Sequence, residues 1–146
     1  MRYRAMIVVA ILCSAIPFAF AKSPCDTLTA AEASAVLGAT TQAPKFVGMG
    51  CIYSVSSSED FSVLVMDGLG AMAERSYEEA IADKSAKHTA VAGLGEKADL
   101  ALSEGNHAII HILSKNRLVI LEARGGKKDG LQDAMIQAAK TVLSRL

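Results

Sequence analysis

The sequence predicts a single α+β domain in which helices cover an antiparallel sheet, with the element order α-β-β-α-β-β-β-α. Three observations support this prediction. A helix start signal follows residue 28, two pairs of apolar runs separated by polar turns predict hairpins, and two later segments carry apolar residues at helical spacing. Because hairpins pair their strands antiparallel, we expect the helices to cover one face of the sheet.

The first helix is predicted over residues 30–37. Thr29 and Glu32 have the spacing of a capping box, in which each side chain accepts a hydrogen bond from a backbone N–H of the other residue. Apolar residues then recur at three- and four-residue steps, and Gly38 is a typical helix stop. Residues 39–50, which include proline and glycine, are predicted as a loop.

The middle of the chain predicts a hairpin and a second helix. Residues 51–55 and 61–66 are the two strands, joined by the polar turn 56–60. Residues 69–85 are predicted as a helix because their apolar residues form one stripe. His88 opens the following connector among lysines, where we expect it to be solvated.

The last third predicts three strands and a closing helix. Residues 98–102 alternate only weakly, whereas 107–113 and 117–123 are strong strand patterns separated by a short polar turn. Residues 131–146 carry one apolar stripe and predict the final helix.

Residues 1–21 predict a cleavable secretory signal peptide. Two arginines precede an uncharged run over residues 5–20, and Ala19 and Ala21 form the small-residue site that a signal peptidase accepts. The run is shorter than the ~20 residues that a spanning helix needs, so cleavage is favoured over an N-terminal membrane anchor. Residues 22–146 then form the single domain, located in the periplasm or secreted.

Composition argues against two function classes. The chain has 15 basic and 15 acidic residues, and loss of Arg2 and Arg4 leaves 13 against 15, a net charge of −2. This balance disfavours a polybasic binder of nucleic acid or anionic lipid. Aromatic residues make up 5% and tryptophan is absent, which disfavours an aromatic platform for sugars or bases.

Cys25 and Cys51 are predicted to form a disulfide. They are the two cysteines that remain after signal cleavage, and an oxidising compartment favours their pairing. The alternative is a redox or metal site, but the sequence has no C-x-x-C motif and neither cysteine has a histidine nearby. We therefore expect no metal and no cofactor.

His107 and His111 are the candidate binding residues. Their spacing puts both on one face of a predicted strand, about 13 Å apart, which is too far to share a metal ion by themselves. A structural role is the simpler interpretation, and a ligand-binding or pH-sensitive role is the alternative. The sequence has neither a phosphate-binding loop nor a G-x-S-x-G motif, so it predicts no catalytic residue.

Several short motifs resemble those of small exported bacterial proteins of unknown function, in particular the domain of actinobacterial cell-envelope lipoproteins. Those proteins have a Cys-x-x-Leu start, a short helix ending in Leu-Gly, a Cys-x-Tyr strand and a Gly-Leu-Gly turn before paired strands. The matching residues here are Cys25 and Leu28, Leu37-Gly38, Cys51-Ile52-Tyr53, and Gly93-Leu94-Gly95-Glu96-Lys97-Ala98. The resemblance implies an α+β envelope domain and carries over no catalytic residue; a lipid-attachment cysteine is missing at the cleavage site.

These observations predict an exported, non-enzymatic envelope protein, a small binding or interaction domain. Its expected partner is an envelope protein or a small ligand, without nucleic acid and without stable membrane insertion after cleavage. One alternative is a small secreted hydrolase that uses His107 or His111 with a distant carboxylate, so enzymatic activity stays open. Another is an accessory subunit of an envelope complex.

Overall fold

A computed structural model describes residues 22–126 and 129–146, and in these ranges the chain forms three α-helices and a seven-stranded sheet. The elements are α1 (Ala30–Leu37), β1 (Lys45–Val47), β2 (Gly50–Ser54), β3 (Asp60–Met66), α2 (Ala71–Ile81), β4 (Lys87–Ala90), β5 (Lys97–Ser103), β6 (His107–Ser114), β7 (Arg117–Arg124) and α3 (Leu131–Arg145). Within these ranges, no helix combines the length and the apolar character needed to cross a membrane. The predicted signal peptide, residues 1–21, lies outside the described residues.

All neighbouring strands are antiparallel, and their order across the sheet is β1-β2-β3-β7-β6-β5-β4. The last strand of the chain, β7, therefore lies near the middle of the sheet between β3 and β6. Its register places Leu121 opposite Val63 on one side and opposite Ile110 on the other. The mixed α+β class and the antiparallel pairing agree with the prediction.

The structure has two strands more than the sequence predicts, so the described element order is α-β-β-β-α-β-β-β-β-α. β1 lies in the predicted loop 39–50, and β4 lies in the predicted connector. Both are short edge strands, three and four residues long, whose side chains are almost all exposed. They therefore lack the apolar alternation by which a half-buried strand is recognised.

The main hydrophobic core lies between α1, α3 and one face of the sheet, which we call the covered face. Strand side chains that point into this core are completely buried, among them Phe61, Val63, Ile110 and Leu121. The two helices contribute apolar residues of their predicted stripes, namely Ala33, Val36, Leu37, Leu131, Met135, Ala138, Ala139 and Val142. Burial of this contiguous apolar surface is the main stabilising contribution to the fold.

The boundaries and the capping box of α1 agree with the prediction. The hydroxyl of Thr29 accepts from the backbone N–H of Glu32 at 3.2 Å, and the Glu32 carboxylate accepts from the N–H of Thr29 at 2.8 Å. Gly38 ends the helix in the left-handed conformation, with φ of 73°. Arg145, at the end of α3, donates two hydrogen bonds of 2.7 Å to the same carboxylate and thereby joins the two helices.

Cys25 and Cys51 form the predicted disulfide, with their Cα atoms 5.0 Å apart. The bond ties the segment that precedes α1 to β2. Beside it, the buried hydroxyl of Tyr53 donates to the backbone carbonyl of Leu28 at 2.5 Å. Burial raises the pKa of Tyr53 to about 12, so the hydroxyl stays a hydrogen-bond donor.

The prediction that all helices cover one face of the sheet is wrong for α2. Its residues Ala73 and Tyr77 bury against Leu113 and Leu118, which point away from the main core. Successive side chains of a strand alternate between the two faces, so α2 packs on the face opposite to α1 and α3. The helix also starts two residues later than predicted, because Gly70, with φ of 55°, lies just before its first residue, and it ends at Ile81 instead of residue 85.

Candidate functional site

α2 covers only one end of its face of the sheet. The rest of that face, which we call the open face, has no helix over it in the described part of the chain. Seven of its half-buried side chains lie side by side: Ile52, Ser62, Leu64, Ile109, His111, Ile120 and Glu122. Together with Val47 and Gly50 they line a shallow cleft of about 380 Å³.

The register of the strands arranges these side chains in two adjacent rows. One row runs from Ile109 through Glu122 and Ser62 to Ile52, across β6, β7, β3 and β2. The next row contains His111, Ile120 and Leu64. The floor of the cleft is therefore mainly aliphatic, with the imidazole and the carboxylate as its ionisable groups.

His111 lies inside the second row, opposite Asp99 on β5 and Ile120 on β7. Its Nδ1 atom is buried and has no hydrogen-bond partner among residues 22–126 and 129–146. Burial lowers the pKa of His111, an effect that the charge of Asp99 opposes. The neutral imidazole is thus the favoured form in the folded protein.

His107 belongs to an ionic cluster at the end of the open face away from α2. Its Nε2 atom lies 2.8 Å from Oε1 of Glu122. Arg124 Nε lies 3.4 Å from that same carboxylate oxygen and 3.4 Å from Oδ1 of Asp60. The cluster combines the carboxylates of Asp60 and Glu122 with the guanidinium of Arg124 and the imidazole of His107.

His88, which the sequence suggests is solvated, instead bridges two elements. Its Nδ1 atom lies 2.5 Å from Oδ1 of Asp99, and its Nε2 atom lies 2.7 Å from the backbone oxygen of Asp83. A carboxylate and a carbonyl both accept, so the ring has to donate from both nitrogens, which is the property of the protonated form. The hydrogen bond to Asp99 raises the pKa of His88 accordingly.

The fold keeps the two candidate histidines apart. They lie on the same face of β6, as predicted, but His111 lines the cleft on the open face, whereas His107 lines a separate cleft beside the start of α3. Among the described residues, no group of three or more His, Cys, Asp or Glu side chains is arranged to hold a metal ion. The two histidines therefore act in different surroundings.

No hydroxyl group of residues 22–126 and 129–146 is placed for activation by His107 or His111. An activated serine or threonine nucleophile needs its hydroxyl within hydrogen-bond reach of a base. In these ranges, no hydroxyl hydrogen-bonds to either ring. The open face offers an aliphatic floor in which Ser62, His111 and Glu122 are the polar side chains.

Sequence reasoning missed the partners of the histidines. Asp99 and Glu122 lie 11 and 15 residues from His88 and His107, and only the strand register brings each pair together. One signal was available for Glu122, because a carboxylate interrupts an otherwise apolar strand pattern. Asp99 offers the same kind of signal within β5.

No protein-family model matches this chain. No curated protein matches it significantly either.

Proposed function

We propose that this chain is an exported, non-enzymatic binding protein of the cell envelope, and that the cleft on the open face holds its ligand. The observation that carries the proposal is the half-exposed aliphatic floor formed by Ile52, Leu64, Ile109 and Ile120. A sheet face left in water is normally lined by polar side chains. Aliphatic side chains at these positions favour an apolar occupant.

The chemistry of the cleft suggests the ligand class. Its volume of about 380 Å³ is near the lower end for small-molecule sites. Its lining has no phenylalanine, tyrosine or tryptophan, and the imidazole of His111 is its one aromatic ring, so it offers no broad platform for a planar ligand. Glu122 supplies an acceptor within the floor, so the expected ligand has an aliphatic body and a hydrogen-bond donor.

The disulfide supports the proposed location. Disulfides persist in the periplasm and outside the cell, and thiols are kept reduced in the cytosol. The short motifs shared with the domain of envelope lipoproteins agree with this location, and the cleavage site at Ala21 is part of the same proposal. Mass spectrometry under denaturing conditions should give the mass of a chain that starts at Lys22. That mass should be two hydrogens lower than the mass of the reduced chain.

Native mass spectrometry of the protein recovered from its own host tests the ligand. We expect a non-covalent adduct of small-molecule mass on the wild-type protein. The substitutions Ile52→Thr and Ile109→Thr keep strand-compatible side chains but make the cleft polar, and they should abolish the adduct. Met72→Thr is the matched control, because Met72 is 66% exposed and lies outside the cleft.

Two results would contradict this proposal. An adduct that survives both cleft substitutions would have to occupy another site. A wild-type protein that is always recovered bare would rule out a tightly held small ligand. An adduct of protein mass would instead favour the accessory-subunit alternative.

The pair formed by His107 and Glu122 favours a second candidate function, that of a secreted hydrolase. A carboxylate 2.8 Å from an imidazole can hold the ring in one orientation. His107→Ala should then abolish hydrolysis of ester or amide substrates without loss of folding. His111→Ala is the comparison variant, since His111 lacks such a contact.

A further inference from the structure

Exposed apolar side chains concentrate at one end of the molecule. Among the described residues, the large hydrophobic side chains with high exposure are Phe46 (60%), Val47 (56%), Met49 (59%) and Met72 (66%). The first three belong to the β1–β2 hairpin, and the fourth lies in the first turn of α2. We call these four residues the apolar end.

The topology explains why they share one end. β3 pairs antiparallel with β2, so its last residues return to the β1–β2 turn, where the N–H of Val65 donates to the carbonyl of Met49 at 3.5 Å. The chain then leads from Met66 directly into α2 and therefore to Met72. The apolar end is thus built by adjacent elements of the fold.

The described chain also starts at this end. Lys22, Ser23 and Pro24 line a surface depression of about 410 Å³ together with Phe46 and Met49. The side chain of Lys22 donates to the backbone oxygen of Arg145, at the end of α3. In the sequence, the uncharged run of residues 5–20 ends one residue before Ala21 and two before Lys22.

Basic side chains flank the apolar end. Lys45 precedes Phe46, and Lys115 lies in the β6–β7 turn, which the register of Leu118 opposite Met66 brings to the same end. Neither lysine has an ion-pair partner within residues 22–126 and 129–146. Long basic side chains around apolar ones are typical of surfaces that lie at a membrane interface.

We propose that the apolar end docks on the surface of a phospholipid bilayer, with Phe46, Val47 and Met49 inserted between the lipids. The exposed hairpin and the two lysines that flank it lie at the same end of the molecule, so they meet one membrane surface together. Insertion of apolar side chains, with the lysines at headgroup level, drives the contact. Val47 also lines the cleft, whereas Phe46 and Met49 lie outside it and make a lipid contact that does not depend on the cleft ligand.

The absence of tryptophan from the sequence permits a direct test. Phe46→Trp introduces a single reporter at the apolar end, and Ile109→Trp introduces one in the cleft. Each variant is mixed with vesicles of phosphatidylethanolamine and phosphatidylglycerol. We expect a blue shift and quenching by brominated lipids for Phe46→Trp, and neither for Ile109→Trp.

Vesicle sedimentation measures the strength of the contact. The triple substitution Phe46→Ser, Val47→Ser and Met49→Ser should weaken binding by about tenfold or more, because three exposed side chains lose their apolar contact with lipid. Thermal unfolding of the same variant checks that it folds. Binding should persist at high salt, since apolar insertion is not screened.

Other outcomes would overturn the proposal. Wild-type protein that stays in solution with these vesicles, or a triple variant that binds as the wild type does, rules out insertion of the hairpin. Protein that dimerises in solution, and becomes monomeric in the triple variant, would identify a second copy as the occupant. A signal from Ile109→Trp equal to that from Phe46→Trp would place the lipid on the open face instead.

Discussion

Nδ1 of His88 lies 2.5 Å from Oδ1 of Asp99, a residue that is only 6% exposed. The opposite nitrogen of the same ring contacts the backbone of Asp83, just after α2. One imidazole thus joins the edge strand β4 to β5 and to the end of α2. Both contacts exist together only while the ring carries two protons.

This pair should make folding stability depend on pH near neutrality. The pKa of His88 is raised above its usual 6.5, so its stabilisation is fully present below pH 6.5 and is lost as the pH rises through the raised value. We expect His88→Gln to lower the free energy of unfolding by about 2 kcal/mol in mildly acidic buffer, and by much less in alkaline buffer. Urea unfolding across this pH range measures the difference. If His88→Gln lowers the free energy of unfolding equally in acidic and in alkaline buffer, protonation of His88 does not contribute to stability.

His111 should give a pH dependence of opposite sign. Burial lowers its pKa, so stability is lost as the pH falls below the usual 6.5 toward the lowered value. The chain has three histidines, so NMR titration of their ring protons can follow each one. We expect His111 to titrate below 6.5 and His88 above it, and His111→Gln to reduce the loss of stability in acid. Coincident titration of the two rings would contradict their assigned surroundings.

The contact between Arg145 and Glu32 should control stability in stronger acid. The hydrogen bonds from Arg145, with help from Thr29, lower the pKa of Glu32 from 4.5 to about 2. The stabilisation is therefore complete above pH 4.5 and is lost as the pH falls toward 2. Both side chains are about a third exposed, so we expect Glu32→Gln to cost only about 1 kcal/mol near neutral pH. Acid unfolding, followed by circular dichroism, should have a higher midpoint pH for the Arg145→Ala variant than for the Arg145→Lys variant, because lysine keeps a positive charge near Glu32.

Gly93 and Gly95 form a matched pair within the motif Gly93-Leu94-Gly95. Both have positive φ, but a Cβ on Gly95 would lie 2.4 Å from the backbone oxygen of Leu113, whereas one on Gly93 would meet nothing within 4 Å. Gly93→Ala should therefore lower the free energy of unfolding by about 1 kcal/mol, because alanine is strained in this backbone conformation. Gly95→Ala should cost about 3 kcal/mol or more, because the turn must move away from β6. Thermal unfolding that finds equal costs would contradict this close approach.

Loss of the disulfide should destabilise the protein without changing its fold. The bond closes a loop between residues 26 positions apart, for which the chain-entropy estimate is about 3 kcal/mol. We expect the double substitution Cys25→Ala and Cys51→Ala to lower the free energy of unfolding by that amount. Reductant should lower the stability of the wild type similarly and leave the double variant unchanged. A wild type insensitive to reductant would contradict the prediction.

The sequence predicts correctly those elements whose bounds depend on residues within or next to them. The boundaries of α1 follow from Thr29, Glu32 and Gly38, which act on their own turn of helix. Strands β6 and β7 agree with their predicted bounds to within one residue, because long apolar runs on both sides of a short turn leave few alternatives. The disulfide prediction follows from the cysteine count, because removal of the predicted signal peptide with Cys13 leaves two of the three cysteines to pair.

Features that depend on distant parts of the chain were not predictable from the sequence. The stripe of α2 shows which side of the helix is buried, but not against which face of the sheet it packs. All three residues of the edge strand β1 are exposed, so their side chains give no strand pattern. β1 is a strand because its backbone pairs with β2. The contact between His88 and Asp99 likewise requires the β4–β5 register.

The central position of β7 has a consequence for how the chain folds. β3 pairs with β7 along its whole length, from Asp60 with Arg124 to Met66 with Leu118. In the export that we propose, the chain enters the oxidising compartment from its N-terminus, so β3 arrives before β7 and one of its edges has no strand beside it. Such long-range pairing is intrinsically slow and leaves an unpaired edge open to other chains. We expect early closure of the bond between Cys25 and Cys51 to hold the N-terminal strands together until β7 completes the sheet.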